Sequence, residues 1–201
     1  MKQLIFPPLV LLISACWAIG QAPSSSPAKR STKPEKHKTI TIQGSGELSN
    51  NAGFTSASGG FYIEIPGPPT RTLDNTSQVG LAKGRDAGKQ YEWVFDGRIF
   101  TIFYVTAFDR DGNPQTLDYA GLENGWRKGI TNLKAQRVSE RPIKVLGYRG
   151  TEFRYVSTEG LHFIARVLLI KDVAYQLVGA YADENDEKYI LKVLESFKLE
   201  K

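Results

Sequence analysis

Five residues of the C-terminal half carry side chains of the kinds that hold or transform ligands: Arg149, Glu152, Arg154, His162 and Arg166. On a strand, side chains two apart share a face. A three-residue turn over Thr158 to Gly160 sets Glu152 opposite Arg166 and Val156 opposite His162, with Arg154 on the same face. Converging guanidinium groups suit an anion or an acidic partner. The group is therefore a candidate ligand or partner patch. The plainer chemistry is a cross-strand salt bridge with the other arginines solvated, worth about 0.2–1 kcal/mol if the pair is exposed. A serine hydrolase would need His162 as its base, beside a serine and held by a carboxylate. A lone His on a strand is more often a packed or partly exposed side chain.

Other polar clusters point to turns and caps. Asp109-Arg110-Asp111-Gly112-Asn113 places carboxylates at one and three and Asn at five, as a calcium loop does. Its Gly comes at four instead of six, Pro114 takes the sixth place, and Ala120 stands where a bidentate Glu is required. It reads as an exposed turn. The acids from Asp183 to Glu187 suit a helix start, where the dipole favours negative charge. The chain has no G-x-S-x-G elbow, phosphate loop, H-E-x-x-H or dinucleotide fingerprint. The expectation is a protein that is not an enzyme, with no cofactor and no metal.

The chain has 201 residues and one Cys, which excludes an internal disulfide, a four-thiolate zinc site and a redox pair. The formal net charge is +5. Six of the 26 basic residues and one of the 21 acidic residues precede Thr39, so the rest of the chain carries twenty of each. The positive charge belongs to the N-terminal segment and not to a folded body that could neutralise phosphates, which argues against nucleic acid. Lys2 and the apolar run Leu4 to Ile13 read as an export signal, since the run is shorter than the ~20 residues of a membrane span.

Ile13-Ser14-Ala15-Cys16 resembles the lipobox of bacterial lipoproteins, in which the Cys thiol takes a diacylglyceryl group and becomes the mature N-terminus. That reading makes residues 1–15 a signal peptide and Cys16 the lipidation site. It makes the protein an exported, membrane-anchored lipoprotein of the bacterial cell envelope. The alternative is cleavage after Ala22, which discards Cys16 and leaves a soluble periplasmic or secreted protein. Residues 16–38 are rich in Pro, Ser and Lys and form a tether, with too few apolar side chains to offset the entropy of ordering.

Residues 39–201 read as a single domain built mainly of strands. Thr39 to Ile42 and Phe61 to Ile65 alternate, with a loop from Gly44 to Gly60 between them and a polar stretch over 67–89. Asp96-Gly97 between two apolar runs predicts a tight hairpin. The stripe Tyr119, Leu122, Trp126, Ile130 predicts a helix starting near Thr116. Short strands follow near Ala135 to Ser139 and Ile143 to Leu146, then longer ones over Gly150 to Ser157, Leu161 to Ile170 and Val173 to Tyr181. The stripe Tyr189, Ile190, Val193, Leu194 predicts a second helix capped by Asp183 or Asn185, and Ser196 to Leu199 a short edge strand. The expected fold class is α+β, a mainly antiparallel sheet with a helix on each face.

In this order, the segments FYIEIPGPP, VLGYRGTEFRY, FIARVLLIKDVAYQLVGAY and LESFKL resemble the PsbP-like and DcrB-like proteins of bacteria and plastids. The resemblance runs from Phe61 to Leu199 and rests on Pro66, Gly147, Gly150, Arg166, Tyr175, Ser196 and Phe197. It implies an α/β/α sandwich and an accessory or binding role instead of catalysis. Photosynthetic members bind photosystem II and influence its calcium and chloride, but no residue here matches a photosystem-docking motif. The expected function is an envelope binding module that docks to a protein partner or a small ligand. The alternative is a ligand carrier or enzyme that uses the basic sheet face.

Overall fold

The computed structural model describes residues 53–74, 88–108 and 114–200. The leader, Cys16, the tether, the strand expected at Thr39 to Ile42 and the Asp109 to Asn113 loop lie outside them. The strands are β1 (Phe54–Ser56), β2 (Phe61–Ile63), β3 (Arg71–Asp74), β4 (Gly88–Phe95), β5 (Arg98–Phe108) and β6 (Pro114–Gln115). Helix α1 (Tyr119–Asn132) precedes β7 (Gln136–Val145), β8 (Tyr148–Val156), β9 (His162–Ile170) and β10 (Val173–Tyr181). A 3-10 turn (Glu184–Asp186) leads into helix α2 (Glu187–Glu195), and β11 (Lys198–Leu199) follows.

The main sheet runs β3-β4-β5-β10-β9-β8-β7, with β6 paired to β5, and all its pairings are antiparallel. A small sheet, β1-β2-β11, is separate. The expectation of an antiparallel α+β fold holds. Its layers differ in one respect: α1 covers one face of the main sheet, while α2 shares the other with the small sheet.

Period-two alternation explains how one sheet serves two cores. On β9, Ile164 and Leu168 join the core under α2 with Trp93, Phe100, Leu177, Ile190 and Phe197. Phe163, Ala165 and Val167 join the core under α1 with Leu122, Trp126 and Ile130. A strand apolar on both faces belongs in mid-sheet, and β9 lies there between β8 and β10. The β4–β5 turn has positive φ at both Asp96 (47°) and Gly97 (72°), as a type I′ turn requires.

Three sequence expectations are corrected. The two short strands around Pro142 are one ten-residue strand, β7, with a register shift between Arg137 and Ser139. Pro142 is accommodated because β7 is an edge strand, so no ladder partner needs its missing N–H. Strands β1 and β3 form inside segments read as loop: β1 because Phe54 and Ser56 pack against the core, β3 because it pairs as a largely exposed edge strand with β4. Helix α1 starts after Asp118, whose carboxylate accepts from Ala120 N (3.1 Å) and Gly121 N (2.9 Å), and not at Thr116. Removing this cap with Asp118→Ala is expected to destabilise the fold by about 1 kcal/mol, read as a lower urea midpoint at unchanged slope.

Candidate functional site

The β8–β9 register pairs Glu152 with Arg166, Arg154 with Ile164 and Val156 with His162. Ser157 N donates to Leu161 O across the three-residue turn at 2.9 Å. The alternation read from sequence therefore brings Glu152, Arg154 and Arg166 together. What it does not reveal is their depth. Glu152 is 0% exposed and Arg166 6% exposed, because α2 lies over this face.

Glu152 is the hub of an ion cluster. Its Oε2 accepts from Arg166 Nε at 3.0 Å. Its Oε1 accepts from Arg141 Nε at 3.0 Å and Arg154 Nε at 3.2 Å. Arg154 Nη1 donates onward to Glu187 Oε1 on α2 at 2.6 Å. Arg166 Nη2 lies 3.7 Å from Glu195 Oε1 at the other end of α2. Three guanidinium groups thus face three carboxylates. Burial pushes the Glu152 carboxyl up, but Arg166 first, then Arg141 and Arg154, hold it below the usual carboxylate range.

His162 sits at the margin of this cluster. Its ring stacks on Tyr181, with centroids 5.3 Å apart and planes 18° apart. The Tyr181 hydroxyl donates to Glu187 Oε2 at 3.2 Å. Burial, and then the Glu187 charge, push that phenol up to about 12. Arg149 is not part of the group. Odd-numbered residues of β8 face α1, and the Arg149 guanidinium lies 4.7 Å from the Tyr119 ring centroid. Tyr119 and Thr151 share a 2.8 Å hydrogen bond, and the Thr151 hydroxyl donates to Glu123.

The exposed-pair magnitude does not apply to Glu152 and Arg166. A buried ion pair is set by desolvation against Coulomb attraction, so losing one partner costs far more than at the surface. Three members of the cluster were not expected from sequence: Arg141, Glu187 and Glu195. Arg141 fell between the two short strands read around Pro142; a single β7 puts it opposite Glu152. Glu187 was legible as a helix-start acid, but its reach to Arg154 depends on where α2 docks. Two further acids of the run are also engaged. Asp183 accepts from Asn185 N at 2.9 Å, and Asp186 accepts from Arg98 Nη2 at 2.6 Å.

Chemically, the cluster ties β7, β8 and β9 to α2. Both Glu152 oxygens accept charged hydrogen bonds, which leaves the carboxylate poorly suited to taking a proton from a substrate.

No protein-family model matches this chain, and no curated protein does. The fold does have a solved counterpart. The solution structure of cyanobacterial PsbP (CyanoP) from Synechocystis sp. PCC 6803 superposes with a TM-score of 0.51. The aligned region covers 79% of this chain and 97% of that one, at 13% identity. The fold is PsbP-like. At that identity the likeness is one of architecture. In the PsbP-like body, the residues that carried the sequence resemblance serve the fold: Tyr175 OH donates to Gly59 O at 2.8 Å, and Phe197 is buried in the core under α2. Ser196 Oγ accepts from Glu64 N at 2.8 Å and donates to Val193 O at 2.6 Å, joining α2 to the small sheet. Among the described residues, no helix is long and apolar enough to cross a membrane.

Proposed function

We propose that this chain is a non-enzymatic accessory module of the bacterial cell envelope, anchored through a lipid on Cys16 and docking a protein partner. The observation that carries this reading is the ion cluster. The polar group with the best claim to ligand chemistry ties strands to a helix, its guanidinium groups facing Glu152, Glu187 and Glu195. A carrier or enzyme working through Arg154 and Arg166 would have to pull Glu152 away from three arginines. The PsbP-like architecture and the lipobox-like Ile13-Ser14-Ala15-Cys16 support the same reading.

The test is in-cell crosslinking of the tagged full-length protein beside its Cys16→Ala version, followed by mass spectrometry. The expected result is one reproducible envelope partner that is lost with Cys16→Ala. A hydrolase or transferase activity of the purified protein that disappears on mutating one polar residue would refute the proposal.

A further inference from the structure

We propose that the tip of the β7–β8 hairpin is a membrane-contact element, seating Leu146 in the interface of an anionic bilayer with Lys144 and Arg149 at the level of the phosphates. Leu146 is 49% exposed, one of three exposed large hydrophobics among the described residues, with Val94 and Val138. It occupies the first central position of the turn at φ 53°, followed by Gly147 at φ 84°. That position favours Asn, Asp or Gly, and a Leu there is strained. Half-exposed at a turn, the side chain recovers little of that strain by packing. An apolar residue in a strained, solvent-facing position points to a second environment that receives it.

The surroundings identify that environment. Lys144 and Arg149 flank the turn and are exposed, Tyr148 is half-buried, and the Arg149 guanidinium rests on the Tyr119 ring. The neighbouring β9–β10 turn, at the same end of the sheet, holds exposed Lys171 beside exposed Asp172, so the net positive charge at this end comes from Lys144 and Arg149. Beside the β7–β8 turn itself, residues 143–151 contribute Lys144 and Arg149 and no acid.

A second copy of the chain would bring the same cations and be repelled. An anionic bilayer matches the charge, and its interface accepts an apolar tip without a shaped pocket. An acidic protein would match the charge but would also need a pocket for Leu146. This inference does not depend on lipidation of Cys16.

The test uses the full chain with Cys16→Ser throughout. A polarity-sensitive dye is placed through Leu146→Cys, and as a control through Val94→Cys. The vesicles are equal parts phosphatidylcholine and phosphatidylglycerol, or phosphatidylcholine alone. The expected result is a blue shift at position 146 with the anionic vesicles only, and none at position 94. Without dye, Leu146→Asn is expected to bind those vesicles roughly tenfold more weakly. Its thermal stability is expected to be equal or higher, because Asn tolerates this turn position. Each charge removed by Lys144→Ala or Arg149→Ala is expected to weaken binding about fivefold. Equal vesicle binding by Leu146→Asn, or a dye at position 146 that stays in water while the protein is bound, would overturn the proposal. So would capture by an acidic protein partner with no preference for anionic vesicles.

Discussion

Replacing Glu152 by Ala is expected to lower stability by about 3–5 kcal/mol, the cost of leaving buried charge without its partner. The reason lies in what remains behind. Arg166 is 8% exposed at its side chain and would keep only Glu195, 3.7 Å away and itself largely solvated. Arg141 and Arg154 have partial escape to water, at 58% and 27% exposure, so most of the loss comes from Arg166. The melting temperature should fall by roughly 6–20 °C. A second variant separates charge from cavity. Glu152→Gln keeps the shape and one acceptor oxygen but removes the charge, and should lose a large part of the same stability. If both variants unfold within about 0.5 kcal/mol of the parent, the cluster is not a buried tie and the reading fails.

The same pair predicts a pH dependence with a definite sign. The Glu152 carboxyl is held below its ordinary value, so the folded state binds its proton less readily than the unfolded chain does. Such a group contributes stability that is present above the unfolded carboxyl range, near pH ~4.3, and is lost as pH falls through the lower folded value. The stability gap between the parent protein and Glu152→Gln should therefore be widest at neutral pH and narrow on acidification. Glu140 is shifted in the same direction, chiefly by its hydrogen bond with Arg127, and remains in both proteins. The difference between the two curves therefore isolates Glu152.

How far this architecture could be read from sequence depended on range. Contacts fixed by neighbouring residues were legible. Asp96-Gly97 specified a type I′ turn, and the turn before Leu161 fixed the register that pairs Glu152 with Arg166. The double-sided apolar pattern of β9 placed it in mid-sheet. Contacts fixed by distant packing were not legible. Strand β1 is held because Phe54 packs on Tyr91 and Trp93, and Ser56 Oγ shares a 2.9 Å hydrogen bond with Tyr91 OH. None of those partners is local to it. Arg149 has the composition of a patch residue, yet alternation alone sends it to the α1 face, where Tyr119 receives it. The largest omission was depth: charge pattern identified the pairs, but only the docking of α2 makes Glu152 a buried hub.

That docking rests on a close approach that yields the second large effect. Ile190 of α2 is 0% exposed and lies directly over Gly179 of β10. A Cβ built at Gly179 would sit 2.3 Å from Ile190 Cγ2, far inside the distance real carbon atoms keep. The branched methyl is held by a stiff helical χ1, so it cannot swing aside at low cost. Gly179→Ala is therefore expected to lift α2 or force Ile190 off its rotamer, at about 1–3 kcal/mol. Lifting α2 also strains the Arg154–Glu187 and Arg98–Asp186 pairs at its N-terminal end. The decisive measurement is a double-mutant cycle by urea unfolding. Ile190→Leu removes the β-branch while keeping the volume, and alone should cost less than about 1.5 kcal/mol. Combined with Gly179→Ala, it should return part of the loss, because the methyl that met the new Cβ is gone. A coupling of about 1 kcal/mol in the favourable direction is expected. Simple addition of the two losses would mean that β10 and α2 do not meet through this contact, and the seat proposed for the helix would be wrong.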